Sequence, residues 1–313
     1  MSERDLDAAG ITDPALRACY EQCRRLNAEH GKTYYLATLL LPAAKRPHVH
    51  ALYGFARYAD EFVDSLVDPH PEALTPWGER FLADLDGGDS ADPVCRAVIH
   101  TIRTWDIPPP LFKAFLDSMA MDLTVSEYAT FEDLRGYMYG SAAVIGLQML
   151  PILEPLDDRA YAPAQALGEA FQLTNFIRDV AEDLERGRVY LPLEDLEQFG
   201  VTREQLAAEA RAGASSPAVR DLVRFEVDRC RELYAAAAPG PLLLDPTSRD
   251  CIRTAAALYG GILDEIEDAG YEVLAERRSV PLPRRLRVAV PGLARAALAR
   301  REQASWRRLS PVR

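Results

Sequence analysis

Hydrophobic positions recur along this chain at helical spacing, and strand-like alternation is scarce. The pattern predicts helices near 14–29, 32–40, 44–67, 73–85, 91–104, 109–127 and 131–150. Further helices are predicted near 158–186, 202–211, 216–237 and 247–276. Breaks fall where turn chemistry places them: Leu41-Pro42, Asp68-Pro69, Gly87-Gly88, Pro108-Pro109-Pro110, Gly187 and Pro239-Gly240-Pro241. No Gly/Ser-rich linker and no internal repeat separates the helices, so one all-α domain is expected.

Two of these helices depart from the proportions of a surface helix. In 167–183, residues Gln172, Asn175, Asp179 and Asp183 share one face by their three- and four-residue spacing. Beside them stand Leu167, Ala170, Phe171, Leu173, Phe176, Ile177 and Val180, so the carboxylates are expected to face an interior. The stretch 50–64 repeats the arrangement, with Tyr53, Arg57, Asp60 and Asp64 on one face among Val49, Leu52, Phe55, Ala59 and Phe62. Buried carboxylates are costly unless a cation compensates them.

The DxxxD spacing carries little by itself, because Asp64/Asp68 and Asp264/Asp268 share it. Asp264, Glu265, Glu267 and Asp268 make a broad acidic face opposite Ile262, Leu263 and Ile266, which reads as a solvated helix. The other two pairs differ in their apolar flanks and their neighbouring arginines. Carboxylates about 4 Å apart repel by roughly 4 kcal/mol at an effective dielectric of about 20. Salt bridges to Arg57 and Arg178 are the simpler relief, but they leave four Asp to two Arg. Magnesium, a hard cation that takes oxygen ligands and shares them with phosphates, answers the demand better. Arginines beside such an ion would neutralise the rest of a diphosphate, and an apolar cavity below would take a hydrocarbon tail.

Composition narrows the class further. A hydrophobic share of 48% with 27% charged residues is ordinary for a folded globular chain. The net charge of −12 argues against a general nucleic-acid binder. Residues 284–313 hold nine Arg and one Glu, a local charge of +8, which leaves −20 on the rest. That end reads as a solvated, partly disordered tail by composition. Leu286, Leu293, Leu298, Trp306 and Leu309 interleave with its arginines, so its functional reading is a peripheral contact with anionic lipid at the inner face of the membrane.

Five cysteines without a CxxC, and His48 and His50 without a matching ligand set, point to reduced thiols and away from zinc. The polar N-terminus does not read as a signal peptide, and no uninterrupted run of 18 apolar residues occurs, so a cytoplasmic location is expected. The expected divisions are a leader over 1–13, a catalytic domain over 14–280 and a basic tail over 281–313.

The segments Tyr53-Gly54-Phe55-Ala56-Arg57-Tyr58-Ala59-Asp60-Glu61-Phe62-Val63-Asp64 and Gln172-Leu173-Thr174-Asn175-Phe176-Ile177-Arg178-Asp179-Val180-Ala181-Glu182-Asp183 resemble the squalene/phytoene synthase family, and bacterial phytoene synthases most of all. The second segment runs on into Leu184-Glu185-Arg186-Gly187-Arg188-Val189-Tyr190-Leu191-Pro192 in the same style. The resemblance spans about residues 32–278 and implies an all-α isoprenoid synthase bundle with a central cavity between two acidic helices. It implies Asp60, Asp64, Asp179, Asp183 and Asn175 as Mg²⁺ ligands, with Mn²⁺ as an alternative ion. Arg57, Arg178 and Tyr53 would hold diphosphate oxygens, and Arg188 is a further phosphate candidate. Tyr34, Tyr137, Gln172 and Tyr190 would line the pocket near the reacting carbons. Tyr259 and Arg277 match the last phosphate-contacting segment.

The implied reaction is a head-to-head condensation of two geranylgeranyl diphosphates to phytoene through a cyclopropyl diphosphate, with no NADPH expected. Squalene or dehydrosqualene synthesis from farnesyl diphosphate, and terpene cyclisation, are the alternatives on the same scaffold. A non-catalytic isoprenoid-binding protein is the rival outside the enzymes, and it has no need of both Asp pairs with both Arg. One departure stands out: Ser141-Ala142-Ala143 occupies the place where many family members carry Val-Ala-Gly.

Overall fold

Capped prolines start several of the long helices. Asp13, Asp92, Ser216 and Asp245 each accept a backbone N–H from the first turn, and Pro14, Pro93, Pro217 and Pro246 follow them with the fixed φ a first turn needs. The structure, a computed structural model, describes residues 3–64 and 70–309; the side chains of 63, 64 and 304–309 lie outside the described residues. In chain order the helices are α1 (Glu3–Ala8), α2 (Pro14–His30), α3 (Lys32–Thr38), α4 (Arg46–Asp64) and α5 (Pro71–Gly87). Next come α6 (Pro93–Trp105), α7 (Pro110–Met121), α8 (Phe131–Met138), a π-helical turn (Tyr139–Ala143) and α9 (Val144–Leu153). After them run α10 (Tyr161–Arg178), α11 (Val180–Glu185), α12 (Leu193–Gln198), α13 (Arg203–Ala212), α14 (Pro217–Ala237), α15 (Pro246–Asp268) and α16 (Leu282–Leu309). Among the described residues there is no strand beyond two isolated bridges, as the all-α expectation requires.

Two apolar clusters share the interior. One gathers α2, α4–α7 and α9 around Tyr20, Phe55, Phe81 and Phe112. The other gathers α8 and α10–α15 around Tyr137, Phe176 and Leu263. α10 serves both, with Phe171 packed against the first and Leu173 and Phe176 inside the second. The segment Phe131–Leu153 is long and apolar enough by composition to cross a membrane, but 61% of its most apolar window is buried in protein, which makes it a core hairpin partner of α10.

Several boundaries differ from the pattern, each for a local reason. The helix predicted over 109–127 stops at Met121, and Glu127 then pairs with Val189 as a parallel bridge. The one predicted to 276 stops at Asp268, where Gly270 and Tyr271 turn the chain at φ 64° and 61°. α12, a six-residue helix behind Pro192, lies below the length at which periodicity registers.

The basic end is the largest difference. The expected disordered tail is instead α16, which packs along α15. Ala289, Gly292 and Ala296 form a seam of small residues against it, and a Cβ on Gly292 would stand 2.7 Å from Thr254 Oγ1. Arg284 reaches Asp264 at 2.6 Å and Glu265 at 2.8 Å, Arg295 reaches Asp250 at 2.7 Å, and Arg300 donates to the Leu40 carbonyl at 2.7 Å. The acidic face read as solvated is therefore on the surface but partnered, since Arg231 also holds Asp264 and Glu267. Composition averaged over the segment concealed both the seam and the charge match.

Candidate active site

Glycines bring α4 into position. A Cβ on Gly54 would lie 2.8 Å from Cys23 Cβ, and one on Gly31 would lie 2.5 Å from the Tyr53 ring, so α2 and Tyr53 close up where side chains are missing. Phe55 anchors the opposite face, with Trp77, Phe81, Phe112 and Phe115 at ring-centroid distances of 5.1, 4.5, 5.6 and 5.7 Å. Tyr53, Arg57 and Asp60 then share the remaining face. Arg57 donates to Asp60 Oδ2 at 2.6 Å and to Glu61, while its Nε is buried without a partner. Asp64 ends the described helix, and its side chain lies outside the described residues.

The second stripe bends at its key residue. Asp179 leaves helical geometry at φ −103°, ψ 14°, so the predicted single helix divides into α10 and α11. The i→i−4 bonds survive the bend, Asp179 N to Asn175 O at 2.8 Å and Asp183 N to Asp179 O at 2.9 Å. Asp179 is clasped by two guanidiniums: Arg178 donates to Oδ1 at 2.6 Å, and Arg277 donates to Oδ1 at 2.8 Å and Oδ2 at 3.2 Å. Burial pushes its carboxyl up, and the two arginines outweigh that, holding it below the usual carboxylate range. Asp183 lies 3.9 Å from Arg186. Asn175 Oδ1 is buried with no hydrogen-bond partner. The interior expectation holds well here, with Asp179 and Asp183 side chains 14% and 12% exposed, and less well for Asp60 at 39%.

Aromatic rings tie the two stripes together. The Tyr34 ring lies 6.0 Å from Tyr53, 5.9 Å from Phe171 and 5.0 Å from Tyr259, joining α3, α4, α10 and α15. Tyr259 also acts electrostatically on both Tyr34 and Arg178, so the link runs from α3 to the guanidinium beside Asp179. Beneath this lattice lies a cavity of about 240 Å³. Tyr34, Tyr53, Gln172 and Ser141 border it, and its wall continues through Met149, Leu153 and Pro163. An apolar chamber under a charged rim suits an amphiphile with an anionic head and a long hydrocarbon tail.

Comparison with known proteins decides the class. The squalene/phytoene synthase family profile matches residues 27–285. The chain belongs to the squalene/phytoene synthase family. It is 38% identical over 288 residues to a 15-cis-phytoene synthase of Synechocystis sp., covering 87% of this chain and 83% of that one. It is also 38% identical over 284 residues to a phytoene synthase of Arthrospira platensis, covering 86% and 90%. Among solved structures, a dehydrosqualene synthase in complex with ligand superposes at TM-score 0.82 with 27% identity over 89% of this chain and 96% of that one. A squalene synthase of Alicyclobacillus acidocaldarius gives TM-score 0.75 with 32% identity over 85% and 99%. Membership makes the chain an enzyme of the prenyltransferase type.

Not every residue expected for the family site borders the cavity. Tyr137 and Tyr190 do not border it and stand in a second aromatic stack, with the Tyr190 ring 4.0 Å from Phe176 and 5.8 Å from Tyr137. Both hydroxyls reach Asp122, at 2.8 Å from Tyr137 and 3.3 Å from Tyr190. Burial raises both tyrosine pKa values, and the Asp122 charge adds to it. Arg188 approaches the same group, 3.5 Å from the Tyr190 hydroxyl and from the Asp122 carbonyl. Asp122 carried no sequence signal, because a single acid at a helix end has no pattern to betray it.

The donor set suits a divalent cation. Asp60, Asp179, Asp183 and Asn175 offer only oxygens, and the unpaired Asn175 Oδ1 is an acceptor in need of a cation or donor. The residues therefore fit a hard ion. Among the described residues no three His, Cys, Asp or Glu side chains converge on one point, so such an ion would complete its shell with oxygens from water and a bound phosphate.

Proposed function

We propose that this enzyme condenses two geranylgeranyl diphosphates head to head to give phytoene, with Mg²⁺ as its metal. The observation that carries the reading is the pair of Arg-flanked acidic helices joined by Tyr34 and Tyr259 above an apolar cavity. The phytoene synthases among its relatives favour the C20 substrate. Asp60, Asp64, Asp179, Asp183 and Asn175 would hold the ion, which when bound supplies positive charge to the leaving diphosphate. Arg57 brings a free Nε donor to that rim, and Arg178 and Arg277 trade Asp179 for phosphate oxygens. Tyr34, Tyr53, Tyr259 and Phe171 present ring faces to the cationic carbons, and the apolar wall keeps water from quenching them.

The squalene and dehydrosqualene synthases among the structural neighbours favour a second reading, the C15 substrate. Incubation with C15 and C20 diphosphates, with and without Mg²⁺ or Mn²⁺ and with and without NADPH, separates them by product mass. A C40 triene that needs the ion and ignores NADPH is expected. A reduced C30 product formed only with NADPH would overturn the reading.

α16 is also part of this proposal, as a contact with anionic lipid that receives an insoluble product. Leu282, Leu286, Val290 and Leu293 are exposed at helical spacing on it, beside exposed Arg287 and Arg301. Vesicles rich in phosphatidylglycerol are expected to pellet the full chain at low salt, and a Leu286→Glu/Val290→Glu double variant to stay in solution. Equal sedimentation of the two proteins would remove the lipid role.

A further inference from the structure

Among the described residues lining the cavity, two carry a buried side-chain atom without a hydrogen-bond partner: Asn27 Oδ1 and Ser141 Oγ. Asn27 is anchored through its other amide atom, 2.9 Å from His50 Nδ1. Ser141 has no anchor at all, although it is only 6% exposed. That is unusual for a hydroxyl on a helix. Thr38, Thr104 and Thr174 in this chain each donate to the carbonyl four residues back, at 2.8, 2.7 and 2.7 Å. For Ser141 that carbonyl belongs to Tyr137, and it already accepts from Ser118 Oγ at 3.1 Å. Ser141 also sits within the π-helical turn Tyr139–Ala143, where the local ladder is widened.

The level of this hydroxyl in the cavity follows from the helix contacts. Gly168 meets the Ala142 carbonyl and Gly146 meets the Ala164 carbonyl, so α9 runs antiparallel to α10 in fixed register. Ser141 then stands opposite position 169, about one turn below Gln172 and about 15 Å along α10 from Asp179. Leu153, at the far wall, lies about 18 Å beyond it. Ser141 therefore borders the upper chamber, beneath the charged rim, with its hydroxyl covered and unpaired in the cavity wall.

We propose that Ser141 Oγ contacts the bound isoprenoid chain and turns its lone pairs toward the positive charge that forms there. This role rests on the prenyl-condensation reading. When the allylic C–O bond breaks, its electron pair leaves with the diphosphate oxygen and the positive charge spreads over the allylic carbons. Ser141 forms no bond to them and keeps its proton; its dipole lowers the energy of the cation in a site without water. A hydroxyl kept unpaired in the folded protein lowers stability, so a site retained for a ligand should gain stability when the hydroxyl is removed.

Threonine and valine have nearly the same shape, so Ser141→Thr and Ser141→Val isolate the hydroxyl. The valine variant is expected to melt about 2 °C or more above the threonine variant. It should also lose about tenfold in kcat, a step below the full loss of an oxyanion donor, with KM unchanged within about twofold. Threonine should retain wild-type kcat within about threefold. Equal kcat for the two variants, or a valine variant that melts lower, would overturn the role. A wild type that condenses neither diphosphate would instead overturn the functional reading on which it rests.

Discussion

Asp60→Ala and Asp179→Asn are each expected to lower kcat on the order of 10³-fold while the protein stays folded. Both residues would share the ion and the leaving diphosphate, so each loss strikes where charge develops in the transition state. Their structural costs differ. Asp60 lies at the rim with a 39% exposed side chain, so its removal should shift Tm little. Asp179 holds Arg178, whose side chain is only 11% exposed, and the isosteric asparagine keeps an oxygen for that guanidinium. Asp264→Ala is the control, because Asp264 serves Arg231 and Arg284 on the surface of α15. Product formation under saturating substrate and a melting curve for each variant decide the matter. If Asp264→Ala abolished turnover and Asp60→Ala did not, the assignment of the acidic pairs would be reversed.

The two stripes were legible because helical spacing places residues on a common face before any tertiary contact exists. Gln172, Asn175, Asp179 and Asp183 were readable as a set, and the apolar flanks announced their burial. The bend at Asp179 was not readable, since no Gly or Pro marks it and its backbone hydrogen bonds continue through it. Arg277 lies 98 residues from its partner Asp179, and no local pattern reports a contact across that distance. Tyr137 and Tyr190 enter the expected site by resemblance alone, and the stack that Asp122 holds them in joins residues 68 apart in the chain, which no local pattern reports. For α16, an arginine-rich composition spoke louder than the spacing of Ala289, Gly292 and Ala296, which alone would have disclosed a packed seam.

The largest stability effect is expected at a position with no side chain. A Cβ on Gly168 would stand 2.4 Å from the Ala142 carbonyl oxygen and 2.9 Å from the Ala143 Cα. These are backbone atoms, so no rotamer change relieves the contact and α10 must move away from the π-helical turn. Gly168→Ala should cost about 3 kcal/mol, or roughly 6–12 °C in Tm, despite the better helix propensity of alanine. Gly136→Ala makes the opposite prediction. Gly136 is exposed within α8 with nothing within 4 Å of its Cβ position, so alanine should stabilise by about 0.5–1 kcal/mol. The functional consequence separates the two again. Phe171 and Gln172 follow Gly168 by one turn and border the cavity, so displacement of α10 carries them away from Tyr34 and Tyr53, and kcat should fall with stability. Gly136→Ala should leave kcat unchanged. Thermal melts of the two variants with opposite sign, and turnover lost only at position 168, would tie the close approach of α10 to the shape of the chamber it walls.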